Sequence, residues 1–278
     1  MFRKAERKKI KLKIAYSAPS GAGKTYSALL TAFGICGDWS KVAVIDTENG
    51  SAELYSHLGE FSVCPIEPPF TAEKYIEAIK YAVAEGFEVL IIDSLSHAWS
   101  GDGGMLQQHD DIVRKSKSGN GYVAWRDIDP IYTSLVDCIL QSNIDIIATL
   151  RAKDAYIETN DGGRKGYKKV GLAPIFRDGV EYEFTVFFEL TQDHYASPTK
   201  DRTELFGDGG FIPTIETGQA LNEWRNSGAD WKCSICGQAM TSALYRKTLK
   251  AYGAAVCSAE CKGEHLKKQP LETGDEPF

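Results

Sequence analysis

The segment that most constrains the fold is a glycine-rich run of eight residues, APSGAGKT, at residues 18–25. An apolar stretch precedes it at residues 12–17, and a helix-forming stretch follows at residues 26–32. A strand, a glycine-rich loop and a helix in this order are the context of a phosphate-binding P-loop, in which backbone N–H groups and a helix N-terminus face one anion. Ala18 replaces the first glycine of the usual pattern, and the rest of the pattern is intact.

This motif predicts a site for a nucleoside triphosphate, with ATP and Mg²⁺ as cofactors. Lys24 is expected to reach the β- and γ-phosphates, and the hydroxyl of Thr25 is expected to bind Mg²⁺. The alternative is a glycine-rich turn that only caps a helix. The residues expected to surround the phosphates are Ser20, Gly21, Ala22, Gly23, Lys24, Thr25 and Tyr26.

Length and charge limit the remaining possibilities. A chain of 278 residues with 43% hydrophobic content fits one α/β domain and an appendage. It has no apolar run long enough to span a membrane and does not open with a signal peptide, so we expect a cytoplasmic protein without a membrane partner. The net charge of −6 is segregated: residues 1–13 hold seven Lys and Arg against one Glu, and residues 231–268 hold seven against two acids. These basic ends either contact a polyanion or are ordinary solvated surface.

Strand-like and helix-like segments alternate from the start of the chain to about residue 225, which predicts a mainly parallel sheet with crossover helices. The apolar character of the strand-like segments is continuous, as buried parallel strands require. The predicted strands are residues 11–17, 41–46, 88–93, 144–150 and 183–190, and the predicted helices include 24–34, 71–85 and 125–141.

Two acidic residues stand where predicted strands end. Asp93 closes the run VLIID, which has the form of a Walker B strand and predicts a second ligand for Mg²⁺. Glu48 follows the strand that ends at Asp46, at the carboxyl edge where open α/β sheets bind ligands. A carboxylate at this edge can orient and deprotonate an attacking water. The alternative is that Asp46 and Glu48 only cap the next helix.

Asp46-x-Glu48 after the P-loop helix resembles the RecA-type ATPase core, in which the glutamate serves as catalytic base. Residues 10–225 as a whole resemble the phage-encoded RecA-like ATPases of the single-strand annealing and recombination group. The resemblance implies a RecA-like P-loop NTPase fold. The basic start of the chain, the linker-like residues 226–228 and the polar tail complete the predicted division into a basic N-terminal arm (1–10), a RecA-like ATPase domain (11–226), a zinc module (227–268) and a flexible tail (269–278).

The same resemblance implies further roles. Lys200-x-Arg202, predicted in a loop after a late strand, is similar to the finger motif whose two cations reach a neighbouring subunit's nucleotide; the alternative is plain surface charge. The finger implies a homo-oligomer, either a ring or a filament. Thr149 or Arg151, at the end of the next core strand, would sense the γ-phosphate; the alternative for Arg151 is a structural role. Phe2-x-x-Ala5 is similar to a tag that packs on the adjacent subunit, although a disordered basic terminus is the alternative.

RecA-like cores bind single strands through two loops, and both corresponding segments are long here. The first is predicted at residues 100–122 and the second at about 152–182. Cations interleaved with an aromatic residue suit a single strand, whereas the alternative is a solvated β-hairpin with a basic tip. The residues expected to contact nucleic acid are Arg164, Lys165, Tyr167, Lys168 and Lys169.

Four of the seven cysteines cluster near the end of the chain as two close pairs. In a cytosolic protein this spacing indicates a structural Zn²⁺ site with four sulfur ligands rather than disulfides. The segment resembles treble-clef-like fingers, with the last cysteine on a helix. His265 is expected on a helix surface, and the alternative is that it competes as a zinc ligand. The predicted ligands are Cys233, Cys236, Cys257 and Cys261.

The sequence therefore predicts an ATP-hydrolysing RecA-like protein that acts on single-stranded DNA in phage recombination or annealing, in the cytoplasm of a bacterial host. One alternative is a RecA-like DNA motor or helicase loader. Another is a nucleotide-gated adaptor whose zinc finger recruits a recombination or replication protein.

Overall fold

The computed structural model describes residues 4–116, 120–161, 164–207 and 209–267. The chain divides into two compact units, one spanning Lys11–Trp224 and the other combining the first ten residues with the segment from Arg225 onward. The strands are β1 (Lys13–Ala18), β2 (Val42–Asp46), β3 (Ser62–Pro65), β4 (Val89–Asp93), β5 (Asp145–Asp161), β6 (Arg164–Pro174), β7 (Val186–Leu190) and β8 (Ala196–Asp201). The α-helices are α1 (Lys24–Cys36), α2 (Ala72–Ala84), α3 (Ser96–Ser100), α4 (Met105–Lys115), α5 (Gly121–Gln141), α6 (Ile215–Asn226), α7 (Ser242–Tyr252) and α8 (Ala259–Lys267).

The larger unit is built on a sheet with the order β3-β2-β4-β5-β1-β7-β8. All neighbours are parallel except β8, which runs antiparallel to β7. Asp46 and Asp93 are register partners at the ends of β2 and β4. Because parallel strands end at the same edge, this register brings the predicted acidic residues to the edge from which the P-loop leaves β1.

Helices cover both faces of this sheet, which explains the continuous apolar strands. Ile45 and Ile92 belong to the core cluster that also contains Tyr75 of α2 and Ile128 of α5. The alternate strand residues, such as Val44 and Ile91, belong to a second cluster with α1. The prediction of an α/β fold with a mostly parallel central sheet is confirmed.

Helices α1 and α6 approach at a pair of glycines. A Cβ on Gly34 would lie 2.0 Å from the carbonyl O of Ile215, and a Cβ on Gly218 would lie 2.1 Å from that of Thr31. Real Cβ atoms do not come this close, so glycine is required on both helices for this contact.

Two long segments differ from simple loops. Residues 100–122, predicted as a loop, contain helix α4, because Met105 is fully buried and Leu106 and Ile112 pack against the core. The second segment is an extension of β5, which leaves the parallel sheet and pairs antiparallel with β6 from Ala152 to Asp161. In the part of the chain that is described, no helix is both long and apolar enough to cross a membrane.

Candidate active site

The loop between β1 and α1 depends on two glycines for its path. Gly21 and Gly23 have φ angles of +83° and +84°, a region that side chains rarely adopt. A Cβ on Gly23 would also lie 2.9 Å from Nδ1 of His194. The same nitrogen hydrogen-bonds the carbonyl O of Ala22 at 3.1 Å, so the β7–β8 connection supports the loop.

Lys24, the first residue of α1, folds back along this loop. Its Nζ donates to the carbonyl O atoms of Ala18, at 3.1 Å, and Pro19, at 3.0 Å. Burial lowers the pKa of Lys24, while the carboxylates of Asp93 and Glu48 oppose this shift. The loop thus holds a cation beside backbone N–H groups, which is the arrangement that binds phosphate.

Asp93, the last residue of β4, is almost fully buried. Its two carboxylate oxygens accept hydrogen bonds from the hydroxyls of Thr25, at 2.6 Å, and Thr149, at 2.5 Å. Burial raises the pKa of Asp93, although both hydroxyls favour the charged form. A carboxylate and a threonine hydroxyl in contact are oxygen ligands of the kind that Mg²⁺ takes, so Asp93 and Thr25 fit this cation.

Glu48 lies at the same edge and is bound by Arg151. Oε1 of Glu48 accepts from Nε of Arg151 at 2.8 Å, and Oε2 accepts from Nη2 of the same residue. Burial would raise the pKa of Glu48, but the hydrogen bonds and charge of Arg151 outweigh it and lower the pKa. Asp46 performs the capping, since it accepts from the N–H groups of Glu48 and Ala52. Both carboxylate oxygens of Glu48 meet Arg151 instead.

These groups line one cavity of about 480 Å³ at the carboxyl edge of the sheet. Its walls come from the P-loop, from the segment after β2 and from the connections around β8. The lining residues are Ser20, Gly21, Gly23, Lys24, Thr25, Tyr26, Ser27, Glu48, Ser51, Tyr55, Asp93, Arg151, His194, Ile212 and Pro213. Of the predicted P-loop residues, Ala22 alone is not among them; it is buried and its carbonyl meets His194.

Comparison with known protein families assigns the fold. The profile of an AAA domain, AAA_24, matches residues 10–210. This chain belongs to the AAA domain family. No curated protein matches the chain. The family, together with the P-loop geometry, is consistent with ATP binding and hydrolysis by this AAA domain.

The AAA domain site contains residues that the sequence pattern missed. Tyr55 lies beside Tyr26 with ring centroids 5.5 Å apart, and both rings line the cavity. The Oγ of Ser51 is buried there without a hydrogen-bond partner among the described residues. His194, in the connection between β7 and β8, and Pro213, after β8, also line the cavity. They are so distant from the P-loop along the chain that no local motif gives a signal.

The predicted finger residues lie elsewhere on the AAA domain. Lys200 belongs to strand β8, so its prediction in a loop is wrong, because β8 pairs with β7 and extends to Asp201. Lys200 donates to the carbonyl O of Tyr182, and Arg202 approaches the same oxygen at 3.5 Å. Neither residue lines the nucleotide cavity of the same chain. Of the tag predicted at residues 2–5, Phe2 lies outside the described residues.

The residues predicted to contact nucleic acid, Arg164 to Lys169, lie in β6, which forms an antiparallel hairpin with the extension of β5. Their side chains lie outside the described part of the structure. Residues 117–119 and 162–163, which belong to the two predicted loops, also lie outside it. At the base of the hairpin is a cleft of about 750 Å³ with cationic and aromatic walls. The lining includes Tyr122, Trp125, Arg126, Lys153 and Arg177, and the acids Asp129 and Asp178.

In the smaller unit the four predicted cysteines meet. Their Sγ atoms all lie within 4.8 Å of one another, and two Sγ–Sγ distances, Cys236–Cys257 and Cys257–Cys261, are 3.5 and 3.6 Å. Thiolates around a tetrahedral Zn²⁺ with bonds of about 2.3 Å are about 3.8 Å apart, so this cluster fits zinc. Gly237, with φ of +74°, forms the turn after the first pair, and Cys261 lies on α8. Nε2 of His265 lies 2.9 Å from the carbonyl O of Tyr252.

Proposed function

We propose that this AAA domain protein hydrolyses ATP in response to single-stranded DNA and acts in phage recombination or annealing. The observation that carries the ATPase part is the convergence of Lys24, Asp93 and Glu48 on one cavity. Phosphoryl transfer to water needs a cation at the phosphates, a metal ligand and a group that positions the nucleophile, and these residues supply all three functions.

Each residue has a distinct proposed role. Lys24 and the loop N–H groups bind the phosphates, while Thr25 and Asp93 hold Mg²⁺, which neutralises charge on the phosphate oxygens. Glu48 orients the attacking water and accepts its proton. The rings of Tyr26 and Tyr55 offer flat apolar surfaces to the nucleotide base.

Arg151 links the two parts of the proposal. It binds Glu48 and is the last β5 residue paired with β1 before the strand enters the hairpin. Single-stranded DNA bound to the hairpin would therefore contact the extension of β5, the same β-strand that carries Thr149 and Arg151 next to the cavity. The cleft at the hairpin base supports this placement, because Arg126 and Lys153 line it beside the exposed ring of Tyr122, a combination suited to phosphates and stacked bases.

We further propose that the working form is a homo-oligomer in the bacterial cytoplasm. Lys200 and Arg202 lie outside their own chain's nucleotide cavity. A role for these cations in hydrolysis therefore requires a neighbouring subunit, whose nucleotide they would reach. Ring and filament assemblies both meet this requirement.

The test is steady-state ATP hydrolysis with Mg²⁺, in the presence and absence of a thirty-nucleotide poly-dT strand. We expect stimulation by the strand, and Lys24→Ala serves as the blank for contaminating activity. The double variant Lys168→Gln/Lys169→Gln should lose stimulation and keep the basal rate. The matched variant Lys41→Gln/Lys80→Gln, which removes two lysines outside the hairpin and the cavity, should be stimulated like the native protein.

A basal rate that DNA does not change would contradict the single-strand part of the proposal. It would favour the alternative of a nucleotide-gated adaptor, in which the zinc module binds a protein partner. Stimulation accompanied by ATP-driven duplex unwinding or translocation would favour the motor or loader instead.

A further inference from the structure

The two ends of the chain fold together in the smaller unit. The N–H of Lys9 donates to the carbonyl O of Ala229 at 3.0 Å, and the N–H of Ala229 donates to that of Arg7 at 2.8 Å. This pairing is parallel. Gly228 allows it, because a Cβ there would lie 2.7 Å from the backbone of Lys8 and Lys9. The N-terminal segment is therefore a component of the cysteine-containing unit.

Trp231 anchors this arrangement. Its Nε1 donates to the carbonyl O of Lys9, and its ring packs on Tyr245 of α7 with centroids 4.7 Å apart. The guanidinium of Arg246 lies 5.9 Å from the centre of the same indole. One side chain thus contacts the basic N-terminal segment and the basic helix α7.

The unit formed by the two ends is strongly cationic. Its described residues, 4–10 and 225–267, hold eleven Lys and Arg against four Asp and Glu. A Zn²⁺ ion with four thiolates would subtract two charges and leave the unit positive. In contrast, Lys11–Trp224 holds 19 Lys and Arg against 31 Asp and Glu. The smaller unit therefore has a net positive charge, whereas the larger unit has a net negative charge.

Part of this charge is neutralised by ion pairs, and part is not. Lys8 pairs with Glu6 and Lys9 pairs with Asp230. Within the described residues, the exposed cations Lys4, Arg246, Lys247 and Lys250 have no carboxylate partner. On α7, Lys247 and Lys250 lie one helical turn apart, so their side chains project from neighbouring positions on one face.

We propose that the smaller unit is a nucleic-acid-binding module that reads the phosphate backbone with cations from both ends of the chain. Its site is separate from the hairpin and needs no nucleotide. Phosphates recur along a strand at short regular intervals, so rows of exposed Lys and Arg match them without reading sequence. The binding is accordingly expected for duplex and single strand alike. The larger unit carries a net negative charge, so the binding proposed at its hairpin gains from the separate attraction that this module supplies.

The experiment is fluorescence anisotropy without nucleotide, on zinc-loaded protein, with a labelled thirty-nucleotide poly-dT strand and a thirty-base-pair duplex over a range of salt. The variant is Lys4→Gln/Lys247→Gln/Lys250→Gln. The matched control is Lys41→Gln/Lys74→Gln/Lys80→Gln, which removes the same charge from the larger unit. Zinc content and thermal unfolding of both proteins establish that they fold.

We expect the first variant to bind both DNAs at least about tenfold more weakly at 0.1 M salt. The slope of log affinity against log salt should fall by about 2 to 3, since each lost phosphate contact removes about 0.7 to 0.9. The control should match the native protein. Lys4→Gln alone and Lys247→Gln/Lys250→Gln alone should each reduce the slope, because both ends contribute.

Equal binding by the triple variant and the native protein would overturn the proposal, as would an equal loss in the control. A loss confined to one end would overturn the two-ended site. If the triple variant bound DNA like the native protein but sedimented differently, the three lysines would instead contact the acidic larger unit of a second copy of the chain. Lys24→Ala should bind DNA as the native protein does, so the binding experiment is independent of the ATPase test. Hydrolysis that does not respond to DNA would contradict the proposed function, but it would not contradict DNA binding by the smaller unit.

Discussion

The nucleotide cavity and the cysteine cluster both hold polar groups in a fixed geometry, but they do so by different means. The cavity is lined by residues from Ser20 to Pro213, and two large apolar clusters on the two faces of the sheet hold its elements in place. The cysteine cluster is drawn from one short segment, and its apolar cluster has Cys233, Ala254, Val256 and Cys261 as its buried members. The first geometry rests on a large apolar core, whereas the second has a small apolar cluster and four thiols that fit a stabilising metal ion.

The largest effect that separates the two regions is expected from zinc removal. Structural zinc contributes on the order of 10 kcal/mol to the folding of small modules, so Cys257→Ser or a strong chelator should unfold the smaller unit. The larger unit has its own core and should keep its unfolding midpoint. Circular dichroism and Trp fluorescence during denaturation would measure both transitions, with Cys64→Ser, at an exposed cysteine, as the control. If zinc removal abolished the unfolding transitions of both units together, the two regions would not be stabilised by different means.

The second prediction concerns a substitution that changes the nucleotide cavity and leaves the cysteine cluster unaltered. Lys24→Ala should reduce ATP hydrolysis by about 10²- to 10³-fold, since it removes the cation at the phosphates. The free energy of unfolding should change by only about 1 kcal/mol, because the lost hydrogen bonds to Ala18 and Pro19 are offset by the relief of a buried charge. Hydrolysis and urea denaturation would be measured on the same preparation. Native activity in this variant would show that the P-loop is not the catalytic site.

A substitution far from the cavity tests whether its geometry rests on the core. Gly34→Ala places a Cβ against the carbonyl O of Ile215 and should destabilise the larger unit by about 1–3 kcal/mol. Gly207→Ala, where nothing lies within 4 Å of the new Cβ, should be nearly neutral. Urea unfolding gives both values. A neutral Gly34→Ala would mean that α1 and α6 are not tightly packed.

The smallest expected effect concerns the pH dependence of hydrolysis. Arg151 lowers the pKa of Glu48, so Arg151→Met should raise that pKa and move the acidic limb of the rate profile to higher pH. The direction follows because a general base must be deprotonated to act. Arg126→Met, a substitution at an exposed arginine in the cleft at the hairpin base, is the matched control. If the acidic limb of the Arg151→Met profile did not move, the group that titrates in that limb would not be Glu48.

The sequence predicted the parts of each site that are local. The P-loop, Asp93, Glu48 and the four cysteines were visible because each stands in a short pattern whose chemistry depends on spacing. Helix α4 was missed because its buried residues are few and its polar residues resemble a loop. The Arg151–Glu48 pair, the contribution of His194 and the pairing of Lys9 with Ala229 join residues that are far apart in the sequence. No periodicity encodes such contacts, and only the fold brings them together.

Hydrogen exchange, measured on the native protein in three conditions, tests the contrast between the two regions most directly. Addition of ATP and Mg²⁺ should slow exchange at the P-loop and around Thr149–Arg151, and leave residues 225–267 unchanged. Chelation of zinc should accelerate exchange within residues 225–267 and leave the sheet protected. If chelation instead exposed the sheet, or nucleotide protected the cysteine unit and not the P-loop, the account of two independently stabilised sites would be wrong.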